Sequence, residues 1–109
     1  MKGSEAETRA LEHLLEKGYT LLERNFRVPG GEIDLITQHG EVTVFVEVKH
    51  RTRASHGRAL EGVSSRKAAL VRRAALIYLG RDDLPCRFDV VALDGPLERA
   101  EIVHLEDAF

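Results

Sequence analysis

The chain has 109 residues, of which 43% are hydrophobic and 31% charged, and its formal net charge is −2. This balance is typical of one folded domain and excludes a disordered chain. No apolar run is long enough to span a bilayer and the acidic start does not resemble a signal peptide, so we expect a cytoplasmic protein. The single cysteine, Cys86, excludes an internal disulfide and a thiolate zinc site, and we expect it to be a buried small residue.

The first part of the chain has the periodicity of a helix. Apolar residues recur at helical spacing from Ser4 to Lys17, which predicts an amphipathic helix ended by Gly18. Glu7 projects from the edge of the core-facing stripe of this helix. Either Glu7 is a first-turn acid favoured by the helix dipole, or it meets a cation, a metal or hydrogen-bond donors that offset its desolvation.

Three strand-like segments follow the helix. They cover Tyr19–Val28, Glu32–Thr37 and Val42–Arg51, and glycine-containing turns separate them, which predicts an antiparallel meander. The third segment is the richest in β-branched and aromatic residues, so we expect it at the centre of the sheet.

The middle of the chain is basic. Residues 49–73 contain eight Lys or Arg and only Glu61 as an acid, while both flanking segments are acidic. Such a run is either a solvated face or a surface for a polyanion. Residues 52–63 lack periodicity and predict a mobile basic loop, and a helix is then predicted from Ser64 or Ser65 to about Leu79.

The last part of the chain predicts two strands. Cys86–Leu93 reads as a fourth strand that a helix joins to the third, so these two strands should be parallel with a right-handed crossover. A short final strand is expected around Glu101 to Leu105. The whole order predicts a single mixed α/β domain over residues 1–109.

Charged residues interrupt two neighbouring strands. Alternate side chains of a strand share a face, so Glu32 and Asp34 project together, as do Glu47 and Lys49. Glu47 and Lys49 interrupt an otherwise apolar strand, and a buried ion pair contributes little to stability. This pattern favours a metal site. The alternatives are a structural salt bridge of Lys49 with Glu47 or Asp34, and acids that face solvent.

The same residues carry a resemblance. Asp34, followed thirteen positions later by Glu47, Val48 and Lys49, resembles the PD-(D/E)XK motif of Mg²⁺-dependent nucleases. The proline that leads this motif elsewhere is missing, since Ile33 precedes Asp34, but this position does not alter the ligand chemistry.

A wider set of motifs resembles the YraN-like family of small bacterial proteins over nearly the whole chain. The resemblance implies a restriction-endonuclease-like αβββαβ core of the Holliday-junction-resolvase-like branch, with a mixed sheet flanked by helices. The residues that carry it are Glu7, RNFR at 24–27, GEIDLI at 31–36, FVEVKHR at 45–51, Lys67, RFDVV at 87–91 and the ending IVHLEDAF.

This resemblance implies a metal centre. Asp34 and Glu47 are expected to hold Mg²⁺ or Mn²⁺, which prefer carboxylate oxygens, with the backbone carbonyl of Val48 as a third ligand. Lys49 is expected to orient or help deprotonate the attacking water, or to stabilise charge on the phosphate. Glu7 would complete the catalytic set from the first helix, either as a water-mediated ligand of the metal or as an outer hydrogen-bond acceptor.

Further residues are expected around this centre. Glu32 is an additional candidate acid. Four basic residues are expected to contact nucleic-acid phosphates, namely Arg51, Arg53, Arg58 and Lys67.

Together these features predict a metal-dependent nuclease that cuts branched or otherwise structured DNA. The rival interpretation is a non-catalytic DNA-binding or adaptor module, and a third is an interaction domain whose acids form only a structural ion network. Because resolvase-like folds commonly work as two-fold dimers, we also expect a homodimer formed through the apolar C-terminal positions Ile102, Val103, Leu105 and Phe109.

Overall fold

The computed structural model describes residues 5–51 and 63–109. Two helices pack against a five-stranded sheet, and a short 3-10 helix at Leu97–Arg99 precedes the last strand. The elements are α1 (Glu5–Glu16), β1 (Thr20–Val28), β2 (Gly31–His39), β3 (Val42–Arg51), α2 (Ser65–Leu79), β4 (Cys86–Asp94) and β5 (Glu101–Leu105).

The strands lie side by side in chain order, from β1 to β5. Every neighbouring pair is antiparallel except β3 and β4, which are parallel and joined through α2. The predicted meander, the central position of β3 and the parallel crossover are therefore confirmed. The mixed α/β fold predicted from the sequence is also confirmed, and its element order is compatible with a restriction-endonuclease-like core.

Strand alternation divides the apolar side chains between two cores. Val44 and Val46 of β3 are fully buried beside Leu14 of α1. Phe45, between them in the chain, is fully buried on the other face with Val71 of α2. Because successive side chains of a strand point to opposite faces, one helix covers each face of the sheet.

The start of α2 is set by a serine cap. The Ser64 hydroxyl oxygen accepts a hydrogen bond from the Lys67 N–H at 3.2 Å, which satisfies one of the free donors of the first turn. At the other end Gly80 adopts φ 76°, and its N–H donates to the Leu76 carbonyl. The cap places the Lys67 side chain in the first turn of the helix.

The turn between β1 and β2 rests on α2. Arg73 donates a hydrogen bond from Nη1 to the Pro29 carbonyl at 2.6 Å. Gly31 approaches the helix so closely that a Cβ atom at this position would lie 3.3 Å from the Leu70 carbonyl oxygen. A glycine at position 31 thus allows the turn to pack against the helix backbone.

Three sequence-based expectations have separate outcomes. Cys86 is exposed, so the prediction that it is buried is wrong, because Cys86 begins β4 and the buried part of the strand starts only at Phe88. The predicted loop over 52–63, with Arg53 and Arg58, lies outside the described residues except for Val63. Neither described helix is long and apolar enough to cross a membrane.

A buried charge network surrounds Asp89, the fourth residue of β4, and extends toward the end of the sheet where β4 begins. Asp89 is fully buried and accepts two hydrogen bonds from Arg87 at 2.8 Å, one from His104 at 2.7 Å and one from the Asp107 N–H at 3.0 Å. Arg87 also donates to the Tyr19 hydroxyl. Burial alone opposes ionisation of Asp89, but these donors lower its pKa to about 2. The network therefore holds a charged aspartate in the interior.

Substitution of Asp89 should destabilise the fold. Asp89→Asn should lower the free energy of unfolding by about 3 kcal/mol at pH 7, because it removes the buried carboxylate beside the Arg87 guanidinium and leaves it the exposed Glu106, 3.7 Å away. Since the folded-state pKa of Asp89 is depressed, its contribution is present above about pH 4 and is lost as the pH falls toward 2. Urea unfolding at several pH values measures both effects.

A matched control is available at the surface. Asp83 forms a similar two-pronged pair with Arg81, but both side chains are about 60% exposed. Asp83→Asn should change stability very little, because exposed ion pairs are screened by water. Equal losses in the two variants would show that the buried network does not hold this end of the sheet together.

Candidate active site

The sheet forks between β2 and β3. The antiparallel pairing of these strands ends at Leu35 and Val46. Beyond that point β2 remains paired with β1 as far as Gly31, and β3 remains paired with β4 as far as Arg51. The two central strands therefore diverge and leave a cleft between them.

Carboxylates take over the contacts between the diverging strands. The Val48 N–H donates to Asp34 Oδ2 at 2.9 Å. In the other direction, the Asp34 N–H points toward Glu47 Oε2 at 3.5 Å, the outer limit of a hydrogen bond. The acid of each strand thus contacts the backbone of the other strand, and both carboxylates are held at the fork.

A cavity of about 730 Å³, which we call the site cavity, opens at this fork. All five residues that were predicted from the sequence as catalytic or metal-binding line this cavity. Three further lining residues come from the beginning of α2 and the two positions before it. The lining consists of Glu7, Asp34, Glu47, Val48, Lys49, Val63, Ser64 and Lys67.

Lys67 forms an ion pair inside the site cavity. Its Nζ lies 3.3 Å from Glu47 Oε1, and the Glu47 side chain is only 5% exposed whereas that of Lys67 is 51% exposed. From the sequence, Lys67 was expected to bind phosphate, and Lys49 was one candidate salt-bridge partner of Glu47 or Asp34. The structure places Lys67 directly beside the buried acid.

The two central acids resist ionisation. Burial, followed by the nearby charge of Asp34, raises the pKa of Glu47 to about 7, although Lys67 acts in the opposite direction. Burial also raises the pKa of Asp34, with further repulsion from Glu7 and Glu32, and the hydrogen bond from Val48 opposes this shift. The hydrogen-bond donors and the ammonium group near Asp34 and Glu47 therefore do not fully stabilise the ionised forms of these two carboxyl groups.

Glu7 reaches the site from α1 and is held by Asn25. Glu7 is buried, and its Oε1 accepts a hydrogen bond from Asn25 Nδ2 at 3.1 Å and lies 3.9 Å from Arg24 Nε. The same Asn25 amide donates to Glu32 Oε2 at 3.3 Å. Glu7 thus meets hydrogen-bond donors and a cation, which was one of the two alternatives for its place in the helix.

Asn25 is a site residue that the sequence analysis did not single out. It adopts φ 55°, a left-handed conformation that asparagine tolerates better than most residues. The available signal was an asparagine inside a strand, where this residue type is depleted. With this backbone conformation, the side-chain amide of Asn25 reaches both Glu7 and Glu32.

Comparison with known proteins establishes the family. The model of "Uncharacterised protein family UPF0102" matches residues 6–93. The chain belongs to the UPF0102 family. It is 47% identical to a UPF0102 protein of Deinococcus radiodurans over 93% of this chain and 86% of the relative, and 49% identical to one of Shewanella sp. strain W3-18-1 over 98% and 97%. The resemblance to the YraN-like family is thereby confirmed.

The donor atoms of this UPF0102 protein fit a hard divalent cation. Among the described residues, no group of three or more His, Cys, Asp or Glu side chains is arranged to hold a metal by itself. Mg²⁺ commonly takes only one or two carboxylates and completes its shell with other oxygens, waters and substrate phosphates. Asp34 and Glu47, with the adjacent Val48 carbonyl, match that requirement in chemical type.

The predicted phosphate-binding residues are not all at the site cavity. Lys67 lines it, whereas Arg51, at the end of β3, is not among the described residues that do. Arg53 and Arg58 lie outside the described residues.

The raised pKa of Glu47, caused first by burial and then by the charge of Asp34, should appear as a pH-dependent stability. The folded-state pKa of Glu47 is raised from 4.5 to about 7, so its protonated form stabilises the fold at low pH and this contribution is lost as the pH rises through 7. In EDTA the wild type should lose on the order of 2 kcal/mol between pH 5 and 8 from this group. Glu47→Gln, which has the same shape without the charge, should remove this loss.

Thermal unfolding in EDTA at pH 5 and pH 8 measures the difference. Glu41→Gln is the control, because Glu41 is exposed between β2 and β3 and should leave the pH dependence unchanged. A Glu47→Gln variant with the same pH dependence as the wild type would show that the pKa of Glu47 is not raised in the fold.

Proposed function

We propose that this UPF0102 protein is a metal-dependent nuclease that hydrolyses phosphodiesters in branched or otherwise structured DNA. The observation that carries the proposal is the convergence of Asp34 and Glu47 from diverging strands, both with a raised pKa, on a cavity that also contains Lys49. Like charges held together in the interior do not stabilise a fold, whereas perturbed acids in a cleft are common at functional sites.

Two side chains and one carbonyl would hold the cation. Asp34 and Glu47 supply the carboxylates, and Val48 supplies its backbone carbonyl, for Mg²⁺ or Mn²⁺. When bound, the cation polarises a phosphoryl oxygen and lowers the pKa of a bound water. Asp34 is already oriented for this role by the Val48 N–H, so only its second oxygen needs to find a partner.

The other residues of the site position water and phosphate. Lys49 lies two residues beyond Glu47 on β3 and lines the same cavity, so its ammonium group is suited to orient the attacking water or to offset charge that develops on the phosphate. Glu7, whose orientation Asn25 maintains, is suited to accept a hydrogen bond from a water in the cavity.

DNA is the proposed partner because the basic segment, residues 49–73, supplies Lys67 on the wall of the site cavity and Arg51 at the end of β3. Cytoplasmic DNA would be the natural substrate of such a protein. The homodimer stays a prediction. Phe109 packs against Phe88 and Ile102 packs against the core beside α1, which leaves the half-buried Val103 and Leu105 of the edge strand β5 as the dimer's contact residues.

A second candidate function is a non-catalytic DNA-binding or adaptor module. The observation that favours it is the ion pair between Lys67 and Glu47, which partly neutralises the site without any metal. The two candidates differ in one respect that can be measured, which is whether the carboxylates bind a divalent cation and cleave DNA.

Cleavage should require each central acid. With Mg²⁺ or Mn²⁺ the protein should nick or resolve branched DNA, and EDTA should stop the reaction. Asp34→Ala and Glu47→Ala should each lose metal binding and at least roughly 1000-fold in rate, since one remaining carboxylate holds Mg²⁺ poorly. Lys49→Met should retain metal binding but lose roughly 100-fold or more in rate, because its role lies in positioning water and charge.

Gel assays on branched and linear duplexes, with calorimetry for Mn²⁺, measure these effects. Glu41→Ala, at the exposed turn, is the control and should behave as the wild type. Metal-independent binding of DNA, with no cleavage of any tested structure and no uptake of Mn²⁺, would replace the nuclease with the adaptor module.

DNA affinity should depend strongly on salt and on the basic segment. Replacing Arg53, Arg58 and Lys67 together by Glu should abolish most binding, because phosphate contacts release counterions and supply much of the affinity. Arg99→Glu, an exposed change outside the segment, is the control and should have a small effect. Binding measured by fluorescence anisotropy from 50 to 200 mM salt tests this. Undiminished binding by the triple variant would assign the DNA surface to another part of the protein.

A further inference from the structure

Lys67 belongs to the walls of two separate cavities. The first is the site cavity, where its ammonium group pairs with Glu47 at 3.3 Å. The second, which we call the turn groove, has a volume of about 430 Å³ and lies between the β1–β2 turn and α2. Arg27, Gly30, Glu32 and Leu70 line it together with Lys67.

In the site cavity, the Lys67 ammonium group supplies Glu47 with the positive charge that a bound metal ion would otherwise supply. Glu47 is buried, and the Lys67 ammonium group lies 3.3 Å from its Oε1. A divalent cation held by Glu47 would have to share or replace this contact, because two positive charges beside one carboxylate repel each other. The half-exposed lysine is the partner that is able to move, since its long side chain is flexible and its Cα is fixed in the first turn of α2.

The turn groove offers a position for the displaced lysine. Arg27 and Glu32 already form an ion pair in it, with Arg27 Nε 3.7 Å from Glu32 Oε1, so their charges largely offset each other. An ammonium group added to this pair leaves the groove with a net positive charge. The hydrogen bond from Arg73 to the Pro29 carbonyl holds the wall of the groove against the helix. The groove then suits one phosphate of a nucleic-acid backbone beside the metal site.

We propose that Lys67 exchanges between these two positions: it pairs with Glu47 in the metal-free protein and, when a divalent cation is held, moves to the turn groove and binds a backbone phosphate. This inference rests on the proposed function and extends it. It couples the two binding events, since the lysine that competes with the metal becomes a ligand of the DNA once the metal is present.

Binding of Mn²⁺ without DNA tests the first half. Lys67→Met removes the competing charge and keeps a good helix-forming residue, so its Mn²⁺ affinity should exceed that of the wild type by roughly 3- to 10-fold, the equivalent of one partly exposed ion pair. Arg66→Met removes the same charge from the exposed neighbouring position and should bind Mn²⁺ as the wild type does. Electron paramagnetic resonance of free Mn²⁺ measures the affinities, and thermal unfolding confirms that each variant is folded.

The possible outcomes distinguish the lysine exchange from the metal site on which it depends. Tighter binding by Lys67→Met alone supports the exchange, including the case in which the wild type binds too weakly to measure. Equal or weaker binding by Lys67→Met overturns the exchange and leaves the metal site intact. If neither protein binds Mn²⁺, both the metal site and the exchange are wrong. If Arg66→Met gains as much as Lys67→Met, the effect is one of general charge and the specific exchange is also wrong.

Binding of branched DNA tests the second half. The Lys49→Met background retains the metal and slows cleavage, so affinity can be measured with Mn²⁺ and with EDTA before the DNA is cut. Adding Lys67→Met should reduce the slope of log affinity against log salt by about one in Mn²⁺, and by clearly less in EDTA, where the lysine remains with Glu47. A slope change that is the same in both conditions would show that Lys67 contacts DNA without moving.

Discussion

The hydrogen bond from the Val48 N–H to Asp34 Oδ2 bridges the point at which the two central strands separate. A buried N–H without an acceptor costs roughly 1–3 kcal/mol, so a sheet that opens here requires a side chain to replace the backbone ladder. The short aspartate side chain can accept this hydrogen bond close to its own strand through one carboxylate oxygen, which leaves the second oxygen available to a ligand. The separation of the strands therefore creates the site cavity and also fixes the first acid that faces it.

Holding a second acid beside Asp34 is electrostatically unfavourable. Burial raises the pKa of both Asp34 and Glu47. The charge of Asp34 adds to the shift of Glu47, those of Glu7 and Glu32 add to the shift of Asp34, and Lys67 compensates only in part. The left-handed backbone of Asn25 adds strain of about 1 kcal/mol in the same region. Several unfavourable features concentrated in one cleft are what a binding site requires, because a ligand of opposite charge recovers the energy that the empty fold does not.

The sequence predicted those parts of the molecule that depend on neighbours in the chain. Strand alternation placed Glu47 and Lys49 on one face, and Ser64 marked the beginning of α2, because both depend on local geometry. The contact between Lys67 and Glu47 was not predicted, because it depends on how α2 crosses the sheet after the intervening residues. The exposure of Cys86 was missed for a related reason, since residue type does not reveal where a strand enters the core.

Asp89 and Glu47 show how similar residues on neighbouring strands serve different purposes. Asp89 is buried like Glu47, yet Arg87, His104 and the Asp107 N–H donate hydrogen bonds to its carboxylate, and its pKa falls to about 2 while that of Glu47 rises to about 7. A carboxylate with a lowered pKa already has its counter-charge within the fold, so it contributes to stability and has little affinity left for a ligand. A carboxylate with a raised pKa lacks a sufficient counter-charge within the fold, so a bound cation can stabilise it. The direction of the shift therefore separates the structural carboxylate of β4 from the carboxylate at the fork, where a divalent cation would supply the charge that Lys67 provides only in part.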